Sequence, residues 1–244
     1  MARRRFFVTA VRNGRADIVG EQAHHLTRVL RVEPGQKFEI SDNQAVYLAE
    51  VETARKDYVL FAVLEQLKVP TPVVRTILLA SLIKFDRFEL MIEKTTELGV
   101  ERLIPVEAER TEKGLAQAAH KRLDRWHRIG QEASEQSRRA RLPDIGLPVD
   151  LAEAIKAEAD YHYLLDEAAD APLLSVLPST RQGDRVALLL GPEGGWTDRE
   201  REAITRAGWV PVSLGEQILR AETTAIAAIA IVNAAWAQDN IVSH

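Results

Sequence analysis

Five residues, Gly191–Gly195 (GPEGG), follow directly on a continuous apolar run, Val186–Leu190. Such a run is typical of a buried parallel strand, so the glycines form a tight turn at the carboxyl end of that strand. Thr197 then begins a helix with Glu200 three residues later, a capping box, which places the turn at a strand-to-helix crevice where α/β sheets bind ligands. A ligand site is one interpretation of the turn, and a purely structural role is the other.

The spacing of these glycines is not Gly-x-Gly-x-x-Gly, because proline and glutamate stand between them. Such a turn is poorly suited to cradle a pyrophosphate. The sequence therefore disfavours one rival class, the nucleotide-dependent oxidoreductases.

A second loop, Val212–Ala225 (VSLGEQILRAETTA), leaves a strand and opens an alanine-rich helix predicted over Thr223–Ala237. Two strand-end loops of one sheet lie close together, and apolar side chains here can enclose an adenine. The groups expected to surround it are the backbone near Leu214, Gly215, Leu219 and Ala221 and the hydroxyl of Thr223 or Thr224.

The elements that position these loops form two predicted domains, 1–70 and 71–244, separated at Val69–Pro72 because prolines interrupt helices and sheet ladders. The first has β-branched runs around one short helix and is predicted to be a small β-barrel. The second alternates apolar strands with amphipathic helices, the pattern of an α/β fold with a mainly parallel sheet. Asp86 is expected to cap its first helix and Gly99 to end it.

Composition excludes several classes of protein. The chain of 244 residues has no cysteine, so disulfides and thiolate metal sites are excluded. Polar residues interrupt the apolar run that a secretory signal requires, and the most apolar stretch, Ala225–Trp236, is too short to cross a bilayer. We therefore expect a soluble, cytoplasmic protein. The net charge of −4 is unevenly distributed, with 11 Lys/Arg against 9 Asp/Glu in residues 1–69 and 21 against 27 in the remainder.

Two motifs, Leu189–Gly195 and Leu214–Ala225, resemble the ribosomal RNA small-subunit methyltransferase E family, which belongs to the knotted SPOUT methyltransferases. The resemblance spans the whole chain. Further matches are Lys84-x-Asp-Arg, Lys94-x-x-Glu-Leu-Gly-Val100, Glu135-Gln-Ser-x-Arg139, Arg5-Phe-Phe and His24-His-Leu-x-x-Val-Leu-Arg31. The sequence departs from the family pattern at Glu216-Gln217, where Pro-Arg is common, and at Arg138, where a small residue is common.

The resemblance implies a PUA-like RNA-binding β-barrel followed by a trefoil-knotted methyltransferase domain. It also implies a homodimer that methylates N3 of a uridine in 16S ribosomal RNA, within the small ribosomal subunit, with S-adenosylmethionine as cofactor. Knots are nearly absent from proteins, and periodicity alone does not suggest one. The expected cofactor-binding residues are Leu190, Gly191, Glu193, Gly195, Leu214, Gly215, Ile218, Leu219, Ala221 and Thr223.

The chemistry requires help with the uracil N3, which is a poor nucleophile while it is protonated. Arg220 is the candidate for stabilising negative charge on the flanking carbonyl oxygens, and Glu222 is named with it as catalytic. A plain surface pair of Arg220 with Glu222 is the alternative. Glu193 is interpreted either as a general base or as a carboxylate bonded to turn amides.

Two groups of basic residues are candidates for contact with RNA, because arginine neutralises phosphate and guanidinium planes stack on exposed bases. For the first group, Arg3–Arg5, a solvated and frayed terminus is the alternative. His24 and His25 do not form a metal site, since adjacent helical residues face different points, and no metal is expected. The RNA-binding candidates are Arg3, Arg4, Arg5, His25, Arg28, Arg31, Gln136, Arg138 and Arg139. A non-catalytic RNA-binding or ribosome-assembly protein is the remaining rival class.

Overall fold

The computed structural model describes residues 4–237, and these fall into two compact units. The first contains the residues up to Thr71 together with Gln131–Leu142, and the second contains Pro72–Gly130 together with the residues from Pro143 onward. The first unit thus ends beside the Pro70 and Pro72 pair, but it also takes in a segment from much farther along the chain. The predicted domains, 1–70 and 71–244, differ from these two units in where they assign Gln131–Leu142.

The first unit is a curled five-stranded sheet with one helix. Its strands lie in the order β1-β3-β4-β5-β2; β1 and β3 are parallel, and the other pairs are antiparallel. Because β1 and β2 are the two edges and do not pair, the small β-barrel that the sequence predicted is a curled sheet, or half-barrel. In chain order the elements are β1 (Arg5–Phe7), β2 (Arg15–Val19), α1 (Gly20–Arg28), β3 (Lys37–Ser41), β4 (Val46–Arg55) and β5 (Tyr58–Leu67).

Strand β2 is absent from the sequence-based prediction. Its side chains alternate strictly, with Ala16 and Ile18 buried between exposed neighbours, so the period-two signal is present but short. Ala16 lies opposite Phe61 and Ile18 opposite Val59 on β5, which closes the apolar core of this unit under α1.

The second unit is a parallel sheet with helices on both faces. Its strands lie in the order β12-β10-β11-β6-β7-β8, and the short β9 also pairs with β7. In chain order the elements are β6 (Arg75–Ser81), α2 (Phe85–Glu97), β7 (Arg102–Glu107), α3 (Leu115–Ala119), a 3-10 turn (His120–Arg122), α4 (Leu123–Gln136), β8 (Asp144–Ile145), β9 (Val149–Asp150), α5 (Leu151–Ala154), β10 (Tyr161–Leu165), α6 (Leu173–Val176), β11 (Arg185–Leu190), α7 (Asp198–Arg206), β12 (Val210–Val212) and α8 (Ala221–Ala237). The part of α4 from Gln131 onward belongs to the first unit.

Strand β11 lies at the centre of this sheet, between β10 and β6. Residues 186–190 are all buried, as predicted for a parallel strand covered on both faces. Leu188 packs into the core on one face, whereas Leu189 packs into the core on the other. The carboxyl ends of β10, β11 and β12 therefore meet at one edge of the sheet.

The helix ends follow most of the sequence signals. Gly99 has φ +93° after α2, and Thr197 and Glu200 form the predicted capping box of α7. The expected cap at Asp86 is wrong, because α2 begins at Phe85 with Lys84 at the N-cap and no side-chain cap. Asp86 lies in the first turn instead, where its charge suits the helix dipole.

Helix α8 begins two residues before its predicted start and packs against α2 and the sheet. Its small alanine side chains allow this close approach, and Asn233 Nδ2 donates to the carbonyl of Leu98 at the end of α2 (2.8 Å). Within residues 4–237, no helix is long and apolar enough to cross a membrane.

Candidate functional site

A cavity of about 400 Å³ opens at the carboxyl ends of β10, β11 and β12. Its wall comes from Leu165–Glu167 after β10, from the glycine loop between Leu190 and Trp196, and from the loop that leads from Val212 into α8. Arg87 of α2 and Thr224 of α8 complete the wall. This is the strand-end crevice where α/β sheets hold their ligands.

The cavity brings together the two loops that the sequence singled out. Nearly all of the predicted cofactor-binding residues line it, and so does Arg220. Thr223 is the exception: it is exposed, and its neighbour Thr224 lines the cavity, because successive helical residues face different directions. The lining residues that were predicted are Leu190, Gly191, Glu193, Gly195, Leu214, Gly215, Ile218, Leu219 and Ala221.

Two glycines of the first loop have structural reasons to be glycine. A Cβ atom at Gly191 would lie 2.9 Å from Nε1 of the buried Trp196, whose indole also donates to the Leu165 carbonyl (3.4 Å). Gly195 has φ +68° and donates its N–H to the Pro192 carbonyl (2.8 Å), which closes the turn.

The segment after β7 fixes this loop from outside. Glu200 accepts from the Thr197 N–H (2.9 Å) and from the Glu109 N–H (2.7 Å), and Arg110 Nη1 donates to the Gly194 carbonyl (2.8 Å). The loop is therefore tied to its own helix and to a neighbouring strand, and its shape is set before any ligand arrives.

Two of the carboxylates in the cavity wall are paired with arginines. Glu193 forms an ion pair with Arg87, and its two interpretations, a general base or a carboxylate bonded to turn amides, stay predictions. Asp166 is buried, and Arg201 Nε and Nη2 donate to its two oxygens at 2.6 and 3.2 Å. Hydrogen bonding and charge from Asp166 raise the pKa of Arg201.

The two residues that the sequence analysis named as catalytic, Arg220 and Glu222, have different surroundings in the structure. Arg220 is exposed in the cavity wall, and the Thr224 hydroxyl donates to its carbonyl oxygen (3.0 Å). Glu222 is only 7% exposed and does not line the cavity. Its Oε2 is buried without a hydrogen-bond partner among the described residues. A surface ion pair between the two is therefore not formed.

Sequence reasoning missed several members of the wall. Strand β10 was not predicted, so Leu165, Asp166 and Glu167 were unknown as neighbours of the glycine loop. Arg87 stood in a matched motif, Lys84-x-Asp-Arg, but nothing in the sequence indicated that it would meet Glu193.

The candidates for contact with RNA that the structure describes all belong to the first unit. Arg4, His25, Arg28, Arg31 and Gln136 are exposed. Arg3 lies outside the described residues.

Arg5 and Arg138, 133 positions apart, share one carboxylate. Arg5 Nη2 lies 2.7 Å from Glu39 Oε2, and Arg138 Nη2 lies 2.6 Å from Glu39 Oε1. Arg5 is 7% exposed and also donates to the Arg138 carbonyl, so it holds Gln131–Leu142 against the sheet. Its guanidinium is thus engaged inside the unit, whereas the Arg138 side chain is 40% exposed.

Burial by itself raises the pKa of Glu39, but hydrogen bonds and charge from Arg138 and Arg5 outweigh burial and hold that pKa below its ordinary value. Glu135 in the same unit behaves oppositely. Burial raises its pKa, although the side-chain amides of Gln22 and Gln131 donate to it.

Two known protein families match this chain. The family described as RNA methyltransferase domain matches residues 69–233, and the family described as RNA methyltransferase PUA domain matches residues 18–64. Ribosomal RNA small subunit methyltransferase E of Synechocystis is 36% identical over 87% of this chain and 71% of its own length. The Bacillus subtilis protein of the same name is 30% identical over 88% of each chain.

A crystal structure of ribosomal RNA small subunit methyltransferase E from Neisseria gonorrhoeae, bound to S-adenosylmethionine, has a TM-score of 0.87 at 28% identity and covers 96% of this chain and 98% of its own. A methyltransferase structure from Legionella pneumophila, in complex with the same cofactor, has a TM-score of 0.87 at 27% identity, with the same shares of the two chains.

Proposed function

This chain belongs to the ribosomal RNA small subunit methyltransferase E family, and we propose that it transfers a methyl group from S-adenosylmethionine to N3 of a uridine in 16S ribosomal RNA. The observation that carries the proposal is the cavity where the glycine loop and the loop before α8 meet. A non-catalytic RNA-binding protein would not need that preformed cavity.

The residues of the cavity fit an adenosine-containing cofactor. The volume is within the range of small-molecule sites, and Leu214, Ile218 and Leu219 supply apolar surface for an adenine. Gly195 leaves the opposite side of the cavity open. The atom nearest to the position that a Cβ would occupy at Gly195 lies 3.8 Å from that position. S-adenosylmethionine supplies an activated methyl group on a sulfonium, so the protein mainly has to position the two reactants.

Arg220 is assigned to the uracil. Loss of the N3 proton places negative charge on the two flanking carbonyl oxygens, and a planar guanidinium can donate to such an oxygen through two N–H groups. Arg220 lies in the wall of the cavity and is exposed there, as this role requires. Glu222 is buried and does not line the cavity, so we do not assign it to contact with the base.

RNA is held by the basic surface of the first unit. Arg4, Arg28 and Arg31 neutralise phosphate, together with His25, Gln136, Arg138 and Arg139 near the RNA backbone or bases. We further propose that the enzyme is a trefoil-knotted homodimer that works in the cytoplasm on the small ribosomal subunit. In that dimer Arg220 of one subunit acts beside RNA that is held partly by the other.

Calorimetry followed by nucleoside mass spectrometry tests the proposal. Titration of the protein with S-adenosylmethionine should give saturable binding, and incubation with unmodified small subunits should then produce N3-methyluridine in 16S ribosomal RNA. Binding of RNA without any binding of S-adenosylmethionine would identify a non-catalytic RNA-binding protein instead.

A further inference from the structure

Glu167 is the carboxylate of the cavity wall that the structure leaves without an ion pair among residues 4–237. Two other carboxylates line the cavity, and both are neutralised, Glu193 by Arg87 and Asp166 by Arg201. Glu167 is exposed, so its charge is available to a ligand.

The position of Glu167 is as informative as its charge. Its Oε1 lies 3.8 Å from the place that a Cβ atom would occupy at Gly195, so the carboxylate stands across the open side of the glycine loop. The apolar side chains suited to an adenine, Leu214 and Leu219, belong to a different loop. A ligand that places its base on that loop and extends across the cavity to the glycine loop would meet Glu167 there.

We infer that Glu167 is a specificity-determining residue that favours the positively charged methyl donor over the neutral thioether left after transfer. This inference rests on the proposed function. Before transfer the ligand carries a sulfonium cation. When the methyl carbon bonds to the uracil nitrogen, the carbon–sulfur bond breaks and its electron pair remains on sulfur, which becomes uncharged.

A fixed carboxylate therefore attracts the substrate form and not the product form. The other carboxylates of the wall contribute little net charge, because each is already paired. Glu167 is exposed, so water screens the attraction, and we expect a difference of about five- to tenfold in the affinity ratio and no more. The consequence for the reaction is that product leaves more readily than substrate.

Calorimetry on wild type and Glu167→Gln tests this with three probes: S-adenosylmethionine, S-adenosylhomocysteine and sinefungin, which replaces the sulfonium by a carbon bearing an ammonium group. The two cationic probes should bind about five- to tenfold more weakly to the variant. S-adenosylhomocysteine should lose less than about twofold. In steady-state assays KM for the methyl donor should rise while kcat should not fall, since the carboxylate stabilises the bound cation at least as strongly as the transition state, in which the charge on sulfur is decreasing.

The matched control is Glu216→Gln, an exposed carboxylate on the loop before α8 that is not part of the cavity wall. It should leave all three affinities unchanged. Equal losses for all three probes in Glu167→Gln would assign Glu167 to a part of the ligand common to them, and no loss would remove it from the site; either result overturns the inference. Failure of wild type to bind S-adenosylmethionine would instead contradict the proposed function.

Discussion

At the scale of single residues, charge pairing separates structural roles from chemical ones. Arg87, Arg201 and Arg5 each have a carboxylate partner, and two of those carboxylates, Asp166 and Glu39, are buried. An arginine held in this way fixes the backbone around it, whereas Arg220 faces the cavity from an exposed position. The arginines therefore differ in their surroundings although they are identical in type.

Replacement of Arg220 tests its assigned chemistry. Both Arg220→Lys and Arg220→Ala should lower single-turnover methylation by about 100-fold or more, because lysine cannot reproduce the planar pair of donors. Affinity for S-adenosylmethionine should be nearly unchanged. Arg206→Lys, on the exposed surface of α7, is the control and should retain full activity. Rates close to wild type in both Arg220 variants would leave the charge-stabilising role without a residue.

The buried Glu39 carboxylate leads to a prediction about the free energy of unfolding and its dependence on pH. Removing its charge leaves Arg5 buried without a counterion, so Glu39→Gln should lower the free energy of unfolding by about 3 kcal/mol at neutral pH. Because the pKa of Glu39 is lowered by folding, this contribution is present above the unfolded-state pKa and is lost as the pH falls below about 4.5 through the folded-state value.

Urea unfolding of both proteins between neutral and acidic pH measures that difference. The difference in the free energy of unfolding between wild type and Glu39→Gln should become smaller at acidic pH. Glu52→Gln, which breaks an exposed pair with Arg15, is the control and should change stability little at any pH. A gap that stays constant down to acidic pH would show that the carboxylate charge is not what stabilises this network.

At the scale of elements, the site depends on loops held at the ends of adjacent strands. The glycine loop is anchored by the capping box of α7, by Arg110 and by the packing of Trp196, so its backbone is fixed with a glycine in the left-handed region. A side chain at that position would enter the cavity beside Glu167.

Gly195→Val should therefore weaken binding of S-adenosylmethionine by at least about tenfold. Gly208→Val is the matched control, because Gly208 also has a positive φ (+90°) but follows α7 outside the cavity wall. Both variants carry similar backbone strain, so they should lose similar stability, and only the first should lose cofactor affinity in calorimetry. Equal affinity in the two variants would remove the glycine loop from the binding site.

Sequence patterns were informative where a signal is local. The run 186–190, the Thr197–Glu200 box and Gly99 each predicted their element, because a buried strand, a helix start and a left-handed helix end have short, specific requirements. Non-local partners were not predictable. The pairing of Arg87 with Glu193 and the sharing of Glu39 by Arg5 and Arg138 depend on tertiary interactions between residues that are far apart in the sequence.

At the scale of the whole molecule, the predicted RNA-binding residues and the cavity lie in different units. The first unit carries the exposed basic candidates for RNA, including those from the segment Gln131–Leu142, and the second carries the cavity. The segment joins the basic residues from both halves of the sequence into one unit, which neither length nor charge distribution indicated.

The salt dependence of RNA affinity tests the role of the first unit. Arg3→Ala with Arg4→Ala, Arg5 being retained for its structural pair, should weaken binding to 16S ribosomal RNA fragments. The slope of log K against log salt should become shallower by about 0.7 to 0.9 for each phosphate that the variant no longer neutralises. Arg15→Ala is the control, since Arg15 is already paired with Glu52. Identical slopes in wild type and the double variant would leave the terminus without a role in RNA binding.

The most direct test of the account is mass spectrometry of 16S ribosomal RNA from cells that lack this protein and from the same cells supplied with wild type or Arg220→Ala. N3-methyluridine should be absent from one position in the deletion strain, return with wild type, and remain absent or strongly reduced with Arg220→Ala. A level of N3-methyluridine in the deletion strain that equals the level in the parent strain, and that neither form of the protein changes, would contradict the assignment of this chain as the enzyme that makes it.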